Sequence, residues 1–409
     1  MRLLSLFSGC GGMDIGFEGN FTCHEKSINT LIHPEWVVGR KGNCVTVAKT
    51  VFETVFANDI RPDAKAAWVS YFGQTHKNAD ELYHLTSIVD LVKRAKQGEK
   101  IFPENIDIVT GGFPCQDFSV AGKRMGFNSQ KSHLGEKLSS DEPTEENRGL
   151  LYIWMKQVIE ITKPKLFVAE NVKGLANLQD VKEIIEHDFA NAGNGGYLVV
   201  PAQVLYAPDF GVPQSRERII FFGFKKSALK ADALQALSQK VIPLEYNPYP
   251  TKTHGEGLAP IVTSADVLCD LPEPQFASDL SQQVYSKAKY MGNHCQGQSE
   301  IKLDSVAPTI RSEHHGNIEY RRLSLAHGGK HVDELKQGLE ERRLTVRECA
   351  RIQTFPDNYQ FILKSTSTNA AVSSSDAYKL IGNAVPCVLA YNIAKNLESK
   401  WESYFEENK

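Results

Sequence analysis

The amino-acid sequence predicts an α/β protein in which a doubly wound sheet is joined to a second, smaller and loop-rich domain. Over the first 225 residues, short β-rich runs alternate with helical patterns, which is typical of a parallel sheet covered by helices on both faces. The composition then changes, and residues 243–318 are rich in Pro, Gly, Gln, Ser and His with little helical periodicity. The length of 409 residues agrees with two domains, since domains usually have about 100–200 residues.

The elements of this fold are predicted from runs of residues that favour strands or helices. The predicted strands are residues 2–7, 53–59, 107–112, 165–171 and 218–224. The predicted helices are residues 151–162, 180–191, 342–355 and 386–397, and residues 365–376 are predicted to be a surface loop. Pro386 suits the first turn of the last helix because its missing N–H has no partner there.

The net charge, the cysteine spacing and the lengths of the apolar runs limit which classes of protein the sequence can belong to. The net charge is only −3, so any binding of nucleic acid has to rest on local basic clusters. The eight cysteines form no C-x-x-C pairs, which favours reduced thiols. We therefore expect neither a disulfide framework nor a metal site. No apolar run approaches the ~20 residues that span a bilayer, and the run at the start is too short for a signal peptide. We therefore expect a cytoplasmic protein without a membrane partner.

The segment Phe7-Ser8-Gly9-Cys10-Gly11-Gly12 follows the first predicted strand and opens a helix. Glycines at such a turn allow a tight bend and close approach of the backbone to a ligand. A nucleotide-type ligand also needs an acid at the end of the second strand to hold ribose hydroxyls, and Asp59 stands there. Asp59 lies more than the usual ~20 residues from the glycines, which implies an insertion near 21–50. A purely structural turn and a helix-capping Asp59 are the alternatives.

Three further positions suggest chemistry at strand ends. Cys115 follows the third strand, and a thiolate there could act as a nucleophile; the alternative is a small buried apolar residue. Glu170 closes the fourth strand and suits a site that protonates or hydrogen-bonds a substrate nitrogen, unless it is an exposed strand-end acid. Arg216 and Arg218 alternate, so an extended chain points both to one face, where they could hold a carbonyl or a phosphate. Alone, this pair is also typical of a solvated charge run.

Together these segments resemble the DNA cytosine-5 methyltransferase family, because they occur as an ordered series over residues 1–225 and 340–397. The matching segments are LFSGCGGMDIGFEG, GGFPCQDFS, AENV, DFGVPQSRERI, RRLTVRECARIQTFP and IGNAVP. The resemblance implies a Rossmann-like methyltransferase sheet that uses S-adenosylmethionine, and a bacterial type II restriction–modification setting with a cognate restriction endonuclease.

The resemblance also implies roles for individual residues. Cys115 would add to carbon 6 of a flipped-out cytosine in double-stranded DNA, and Glu170 would bind ring nitrogen 3 and the exocyclic amine. Arg218 would contact the base carbonyl, with Arg216 nearby. The residues implied for cofactor binding are Phe7, Gly9, Gly11, Gly12, Asp59, Ile60, Pro114, Asn383 and Val385. Gln116, Lys123 and Arg124 would belong to a loop that closes over DNA.

We expect residues 1–225 to form the catalytic and cofactor-binding domain, 226–339 a target-recognition domain, and 340–409 a segment that returns to the catalytic domain. The stretch 305–323 resembles enzymes that recognise GG…CC sites. Its predicted DNA contacts are Arg311, Asn317, Arg321 and Arg322, because Arg reads guanine and Asn reads adenine. A monomer is expected, since one catalytic domain together with one target-recognition domain suffices for one flipped base.

The sequence departs from the family in three places. Tyr83-His84-Leu85-Thr86 stands where Gly-Asp-Ile-Thr is usual, and the segments 21–50 and 128–146 are additional. Three alternatives remain at this point: a transfer-RNA cytosine methyltransferase, a non-catalytic DNA-binding scaffold, and a dinucleotide-dependent oxidoreductase. The size of the region between Gln214 and Arg343 argues against the first. The presence of Cys115 and Glu170 argues against the second, and the lack of a G-x-G-x-x-G loop argues against the third.

Overall fold

The computed structural model describes residues 1–114, 151–177, 180–292, 295–312, 317–367 and 369–406. The strands are β1 (Arg2–Leu6), β2 (Thr22–His24), β3 (Val37–Lys41), β4 (Cys44–Val47), β5 (Glu53–Asp59), β6 (Tyr83–Leu85), β7 (Ile108–Gly112), β8 (Leu166–Val172), β9 (Tyr197–Tyr206), β10 (Glu217–Lys225), β11 (Tyr320–Arg322) and β12 (Arg342–Arg343). The helices are α1 (Gly12–Glu18), α2 (Pro62–Phe72), α3 (Ala79–Leu82), α4 (Ile88–Lys96), α5 (Leu151–Thr162), α6 (Val181–Ala190), α7 (Ala192–Gly195), α8 (Ala231–Leu237), α9 (Ser264–Leu268), α10 (Leu280–Gln283), α11 (Val332–Lys336), α12 (Val346–Ile352), α13 (Ser374–Asn383) and α14 (Cys387–Tyr404).

The central sheet has the strand order β6-β5-β1-β7-β8-β10-β9. The five strands from β6 to β8 are parallel, whereas β10 runs antiparallel to both of its neighbours. All five predicted strands are confirmed, and the predicted parallel sheet is confirmed for its first five strands but does not extend to β10, which is antiparallel. The connection between β9 and β10 contains only residues 207–216, and so short a link joins antiparallel neighbours because a parallel pair needs a longer crossover.

Neighbouring residues of the central strands enter two separate cores. Leu3 packs in a cluster with residues of α1, α2 and α14, whereas Leu4 packs with residues of α4, α5 and α6. Val168 and Phe167 of β8 divide in the same way. Successive side chains of a strand point to opposite faces, so both faces of this sheet need helices to cover them. The sheet is therefore doubly wound, as the sequence predicts.

Local signals determine where the helices of the last segment begin. Thr345 caps α12 and Ser373 caps α13, and each side chain accepts a bond from the main-chain N–H of an acid three residues later, which bonds back to the cap. The predicted helix 342–355 is thus shorter, because residues 342–343 form β12, and the predicted loop 365–376 ends where α13 begins. Helix α14 continues to Tyr404, beyond the predicted end at 397. Within the described ranges, no helix has both the length and the apolar character for crossing a bilayer.

The predicted insertion at 21–50 is a small antiparallel sheet with the order β2-β4-β3. It is attached to the region that follows the central sheet. The ammonium of Lys26 lies 2.6 Å from the carboxylate of Asp266, and the amide of Asn29 donates to the carbonyl of Thr253 at 2.8 Å. The small sheet therefore connects the two parts of the chain.

Candidate active site

The candidate site lies at the carboxyl edge of the parallel strands, where ligands bind in doubly wound sheets. Strand β5 ends at Asp59 and β7 ends at Gly112. Gly112 pairs directly with Glu170 of β8, and the glycine-rich loop follows β1. Residues far apart in the sequence therefore meet at one edge because their strands are neighbours.

Asp59 connects the glycine-rich loop to β5. One carboxylate oxygen accepts the N–H of Gly9 at 3.0 Å, and the other accepts the N–H groups of Ile60 at 2.8 Å and Arg61 at 3.1 Å. Burial raises the pKa of Asp59, and these backbone bonds oppose that rise. The carboxylate thus shapes the loop from the position predicted for an acid that holds ribose.

The geometry of the glycine-rich loop fits a bound ligand. Gly11 has φ +81°, and a Cβ added there would lie 2.7 Å from the ring of Trp68, so other residues are excluded. Gly9, in contrast, faces open space, with nothing within 4 Å of an added Cβ. Ile60, predicted to contact the cofactor, is 43% exposed beside this loop.

The last predicted motif packs against the same loop. A Cβ added to Gly12 would lie 2.4 Å from the carbonyl oxygen of Val385, so the backbones of the first and last motifs touch. Asn383 ends α13 two residues earlier, and Pro114 follows β7 at the same edge of the sheet. Phe7, at the end of β1, has φ +53° and is half-buried. The predicted cofactor residues therefore gather around one loop.

Asp14, a buried acid that the sequence prediction missed, is connected to this loop through hydrogen bonds. The hydroxyl of Ser5 donates to one oxygen of Asp14 at 2.6 Å, and the indole N–H of Trp68 donates to the other at 2.8 Å. Ser8, inside the loop, donates to the hydroxyl of Ser5 at 2.8 Å. Burial raises the pKa of Asp14 to about 6. The only sequence signal was an acid inside the first turn of a glycine-led helix.

Glu170 forms the polar centre of the site together with Arg218. Its Oε1 lies 2.7 Å from Nε of Arg218, and only 9% and 10% of the two side chains are exposed. The pairing follows from the sheet, because β10 runs beside β8. Burial raises the pKa of Glu170, while the charge of Arg218 and then that of Arg216 lower it. A carboxyl group in this setting can hold a proton or accept one from a bound substrate.

Two neighbours determine where Glu170 and the next loop lie. A Cβ added to Gly112 would lie 2.8 Å from Oε2 of Glu170, so only glycine leaves room for the carboxylate. The amide of Asn171 donates to the carbonyl of Phe113 at 3.1 Å and is buried. Asn171 thereby holds the chain at the point where it leaves β7 and leads towards Cys115.

The profile of the C-5 cytosine-specific DNA methylase family matches residues 1–399. The chain belongs to this family. The methylase is 31% identical over 432 residues to type II methyltransferase M.BsuRI of Bacillus subtilis, with 100% of this chain and 81% of that protein covered. It is 33% identical over 420 residues to M.BspRI of Lysinibacillus sphaericus, with 100% and 84% covered. The chain is thus a DNA cytosine-5 methyltransferase, as the series of motifs predicts.

The crystal structure of S. pombe Dnmt2 methyltransferase shares the fold of this methylase. The two chains superimpose with a TM-score of 0.55 at 18% identity, over 97% of this chain and 98% of that one. The α/β methyltransferase fold predicted from the sequence is confirmed.

Arg216 of the methylase occupies a different place from the one predicted. It is 1% exposed, and its guanidinium donates to the carbonyls of Ile310 at 3.1 Å and of Gly382 and Ala384 at 2.8 Å each. These partners lie in the recognition region and in the last motif. The prediction that Arg216 takes part in substrate contact is therefore corrected: its terminal nitrogens bind three carbonyls in two backbone segments, although its charge reaches Glu170.

The predicted DNA contacts of the recognition region divide into two groups. Arg311 pairs with Glu319 at 3.2 Å but is only half-buried, and Asn317, also half-buried, accepts a bond from Gln298 at 3.4 Å. Arg321 and Arg322 are buried and both bind the carboxylate of Glu334.

Arg322 has no exposed surface and also pairs with Glu273 at 3.1 Å. The prediction that Arg321 and Arg322 contact DNA is therefore corrected, because their donors are used inside the protein. Four other predicted residues, Cys115, Gln116, Lys123 and Arg124, lie outside the described residues, as does the additional segment 128–146.

Proposed function

We propose that this methylase transfers a methyl group from S-adenosylmethionine to carbon 5 of a cytosine that has left the DNA duplex. The observation that supports the proposal most is the buried pair of Glu170 and Arg218 at the carboxyl end of β8, beside the loop that leads to Cys115. A carboxyl next to a guanidinium complements the ring nitrogen, amine and carbonyl of cytosine. The base must be flipped out to reach such a site, at a cost of a few kcal/mol.

Glu170 and Arg218 orient the base and stabilise the charge that the ring develops when carbon 6 is attacked. The Glu170 carboxyl hydrogen-bonds nitrogen 3 and the exocyclic amine; burial raises the pKa of Glu170 and so favours its protonated form, whereas the charge of Arg218 opposes this effect. A proton at nitrogen 3 withdraws electrons from the ring and so favours attack at carbon 6. Arg218 donates to the base carbonyl while it holds Glu170 in place.

Cys115 is the nucleophile in this proposal. Its thiolate forms a bond to carbon 6, and the electron pair of the 5,6 double bond moves to carbon 5. Carbon 5 then takes the methyl group as the bond between the methyl and the sulfonium sulfur of the donor breaks, and the donor would leave as the thioether S-adenosylhomocysteine. A base next removes the proton from carbon 5. The double bond then re-forms and the bond from sulfur to carbon 6 breaks, which releases Cys115 unchanged.

The glycine-rich loop would hold the cofactor. Gly9 and Gly11 would allow close approach of the backbone, Asp59 would bind the ribose hydroxyls, and Phe7 and Ile60 would contact the adenine. Pro114, Gly12, Asn383 and Val385 would contact the methionine part. S-adenosylmethionine, when bound, supplies an electrophilic methyl group. The open space beside Gly9 and the strand-end position of Asp59 support this assignment.

The proposed biological setting is a type II restriction–modification system. Methylation would protect host DNA from a cognate restriction endonuclease, and the enzyme would act on double-stranded DNA as a monomer. The relatives M.BsuRI and M.BspRI are named type II methyltransferases, which supports this setting. We propose residues 226–339 as the recognition domain between 1–225 and 340–409, with a GG…CC type of site. Arg311 and Asn317 remain the proposed contacts of that domain, and Gln116, Lys123 and Arg124 those of the catalytic loop.

The test is methyl transfer from labelled S-adenosylmethionine to unmethylated duplex DNA, with transfer RNA as a second substrate and Cys115→Ser as the matched variant. The DNA is digested to nucleosides and the labelled base is identified. We expect labelled 5-methylcytosine from DNA with the wild type and none with Cys115→Ser. Label in transfer RNA alone, or equal label with both proteins, would reject the proposal.

A further inference from the structure

Arg343 is a buried cation whose partners are neutral oxygens. It is 1% exposed. Its Nε donates to the carbonyl of Ala288 at 3.0 Å, and one terminal nitrogen donates to the carbonyls of Gly297 at 2.5 Å and Ile318. We call this arrangement the Arg343 cradle; it consists of Ala288, Lys289, Gly297, Gln298 and Ile318.

The other terminal nitrogen completes the cradle. It donates to the carbonyl of Lys289 at 3.3 Å and to the side-chain oxygen of Gln298 at 3.4 Å. The guanidinium also lies over the ring of Tyr320, 4.1 Å from its centre. Arginine has five N–H donors in one rigid plane, and here each finds an acceptor or shares one. A lysine has three donors on a flexible stem and cannot span the same set.

The neighbouring Arg342 shows that this arrangement is specific. Arg342 is also buried but binds two carboxylates, those of Glu273 and Glu348, each at 2.9 Å. Burying a charge without a carboxylate partner costs stability. Arg343 therefore has main-chain carbonyls from two separate segments as partners, where a buried arginine usually has a carboxylate. These bonds fix the position of one segment relative to the other.

The two segments also touch each other directly. Gly297 has φ +70°, and a Cβ there would lie 1.9 Å from the carbonyl oxygen of Asn317. Gln298 joins them by its side chain, which accepts the N–H of Met291 at 2.8 Å and donates to Asn317 at 3.4 Å. Met291 is 60% exposed, so this unit reaches the surface next to the cradle.

The segment that leads to the cradle is anchored beside the active site. Ser215 donates its N–H to the carbonyl of Ala307 at 2.8 Å, and the N–H of Ile310 donates to Gln214 at 3.0 Å. Ile310 also accepts a bond from Arg216, two residues before the Arg218 that pairs with Glu170. Ile310 is therefore bound at the active-site edge, and Ile318, eight residues later in the sequence, is bound by Arg343.

We infer that Arg343 is a positioning residue for the reading of DNA sequence: it holds residues 288–291 and 297–298 against residues 317–320 in the register that discriminates one DNA site from another. This inference rests on the proposed function. It predicts that weakening the cradle relaxes the choice of site while the binding of S-adenosylmethionine stays unchanged, because the glycine-rich loop and the cradle share no contact among the residues that the structure describes.

The experiment compares wild type, Arg343→Lys and the matched control Arg342→Lys on one unmethylated plasmid. Every 5-methylcytosine is mapped at single-nucleotide resolution, and the rate ratio of preferred to other sites is determined. Arg343→Lys should lower this ratio about tenfold or more, the lower end of what one well-placed base contact supplies. Arg342→Lys should keep the wild-type ratio, and calorimetry should give one S-adenosylmethionine affinity for all three proteins.

Gln298→Ala removes one acceptor of the cradle and leaves Arg343 unchanged. This variant tests the inference if Arg343→Lys does not fold. A wild-type ratio for both cradle variants, or an equal loss in Arg342→Lys, would overturn the inference while leaving the proposed function intact. Wild-type protein that methylates no DNA would instead reject the proposed function.

Discussion

Glu170 and Arg218 face each other across the antiparallel pair β8 and β10, with 2.7 Å between Oε1 and Nε and with about a tenth of either side chain exposed. The acid experiences two opposing effects. Burial favours its neutral form, whereas the guanidinium favours its charged form, and the net effect is a raised pKa for Glu170. A carboxyl group at this position can share one proton with a ring nitrogen, because either the carboxyl or the nitrogen then acts as the donor.

Glu170→Gln should lower the rate of methyl transfer about 100-fold or more, since a positioned acid–base group contributes 10²–10⁴-fold. Glutamine keeps the size of the side chain but cannot transfer a proton. Single-turnover assays at saturating DNA measure this rate. Glu217→Gln is the matched control, because Glu217 is a neighbouring acid that is 39% exposed and pairs with Lys173. Equal rates for Glu170→Gln and Glu217→Gln would contradict the role of Glu170.

Gly112→Ala should reduce methyl transfer strongly, by about 10²-fold, because misplacing a catalytic group by about 1 Å has this effect. The added methyl group would lie 2.8 Å from Oε2 of Glu170 and displace the carboxylate. Gly111→Ala is the control, since its methyl group would meet the flexible end of Met155 at 3.0 Å and Cβ of Leu6 at 3.4 Å, and no carboxylate. Rate measurements on both variants, with circular dichroism to check folding, test the prediction; a fully active Gly112→Ala protein would contradict it.

Asp59→Ala should weaken S-adenosylmethionine binding about tenfold or more, because the carboxylate both faces the proposed ribose site and orders the loop through Gly9. Titration calorimetry of the cofactor measures the effect without DNA. Asp63→Ala is the control, as Asp63 lies four residues away and binds Arg61 instead. Unchanged affinity in Asp59→Ala would remove Asp59 from the cofactor site.

Asp14 should make stability depend on pH. Its pKa is raised from 3.8 to about 6 in the folded protein, so folding is favoured most when the group is protonated. This contribution is fully present below about pH 4 and is lost as pH rises to about 6; a shift of this size amounts to about 2–3 kcal/mol. The melting temperature of Asp14→Asn minus that of wild type should therefore rise between about pH 4 and 7. A difference that is constant with pH would contradict the assignment.

The sequence was sufficient for the elements that local patterns determine. The strands that carry Asp59 and Glu170 were placed to within a residue or two, because buried parallel strands appear as continuous apolar runs between turn residues. Strand β9 was missed, since its exposed and buried residues alternate irregularly and Pro201 interrupts it. The small sheet β2-β4-β3 was treated only as an insertion for a similar reason: its strands are three to five residues long.

The roles of the arginines could not be derived from local sequence. Arg216 and Arg322 stand in polar, charged stretches that are typical of solvated or DNA-binding segments. Their partners are distant in the chain: Arg216 binds Ala384, and Arg322 binds Glu273. Only the folded chain shows that such donors are satisfied inside the protein. The same holds for Asp14, whose buried environment depends on Trp68 of another helix.

The most direct test of the account is covalent capture on DNA that contains 5-fluorocytosine. Fluorine at carbon 5 cannot leave as a proton, so the bond between sulfur and carbon 6 persists after methyl transfer. The protein is incubated with this duplex and S-adenosylmethionine, and the adduct is digested and mapped by mass spectrometry. We predict one adduct, dependent on the cofactor, on the peptide that contains Cys115. An adduct on another cysteine, or none from protein that methylates ordinary DNA, would contradict the account.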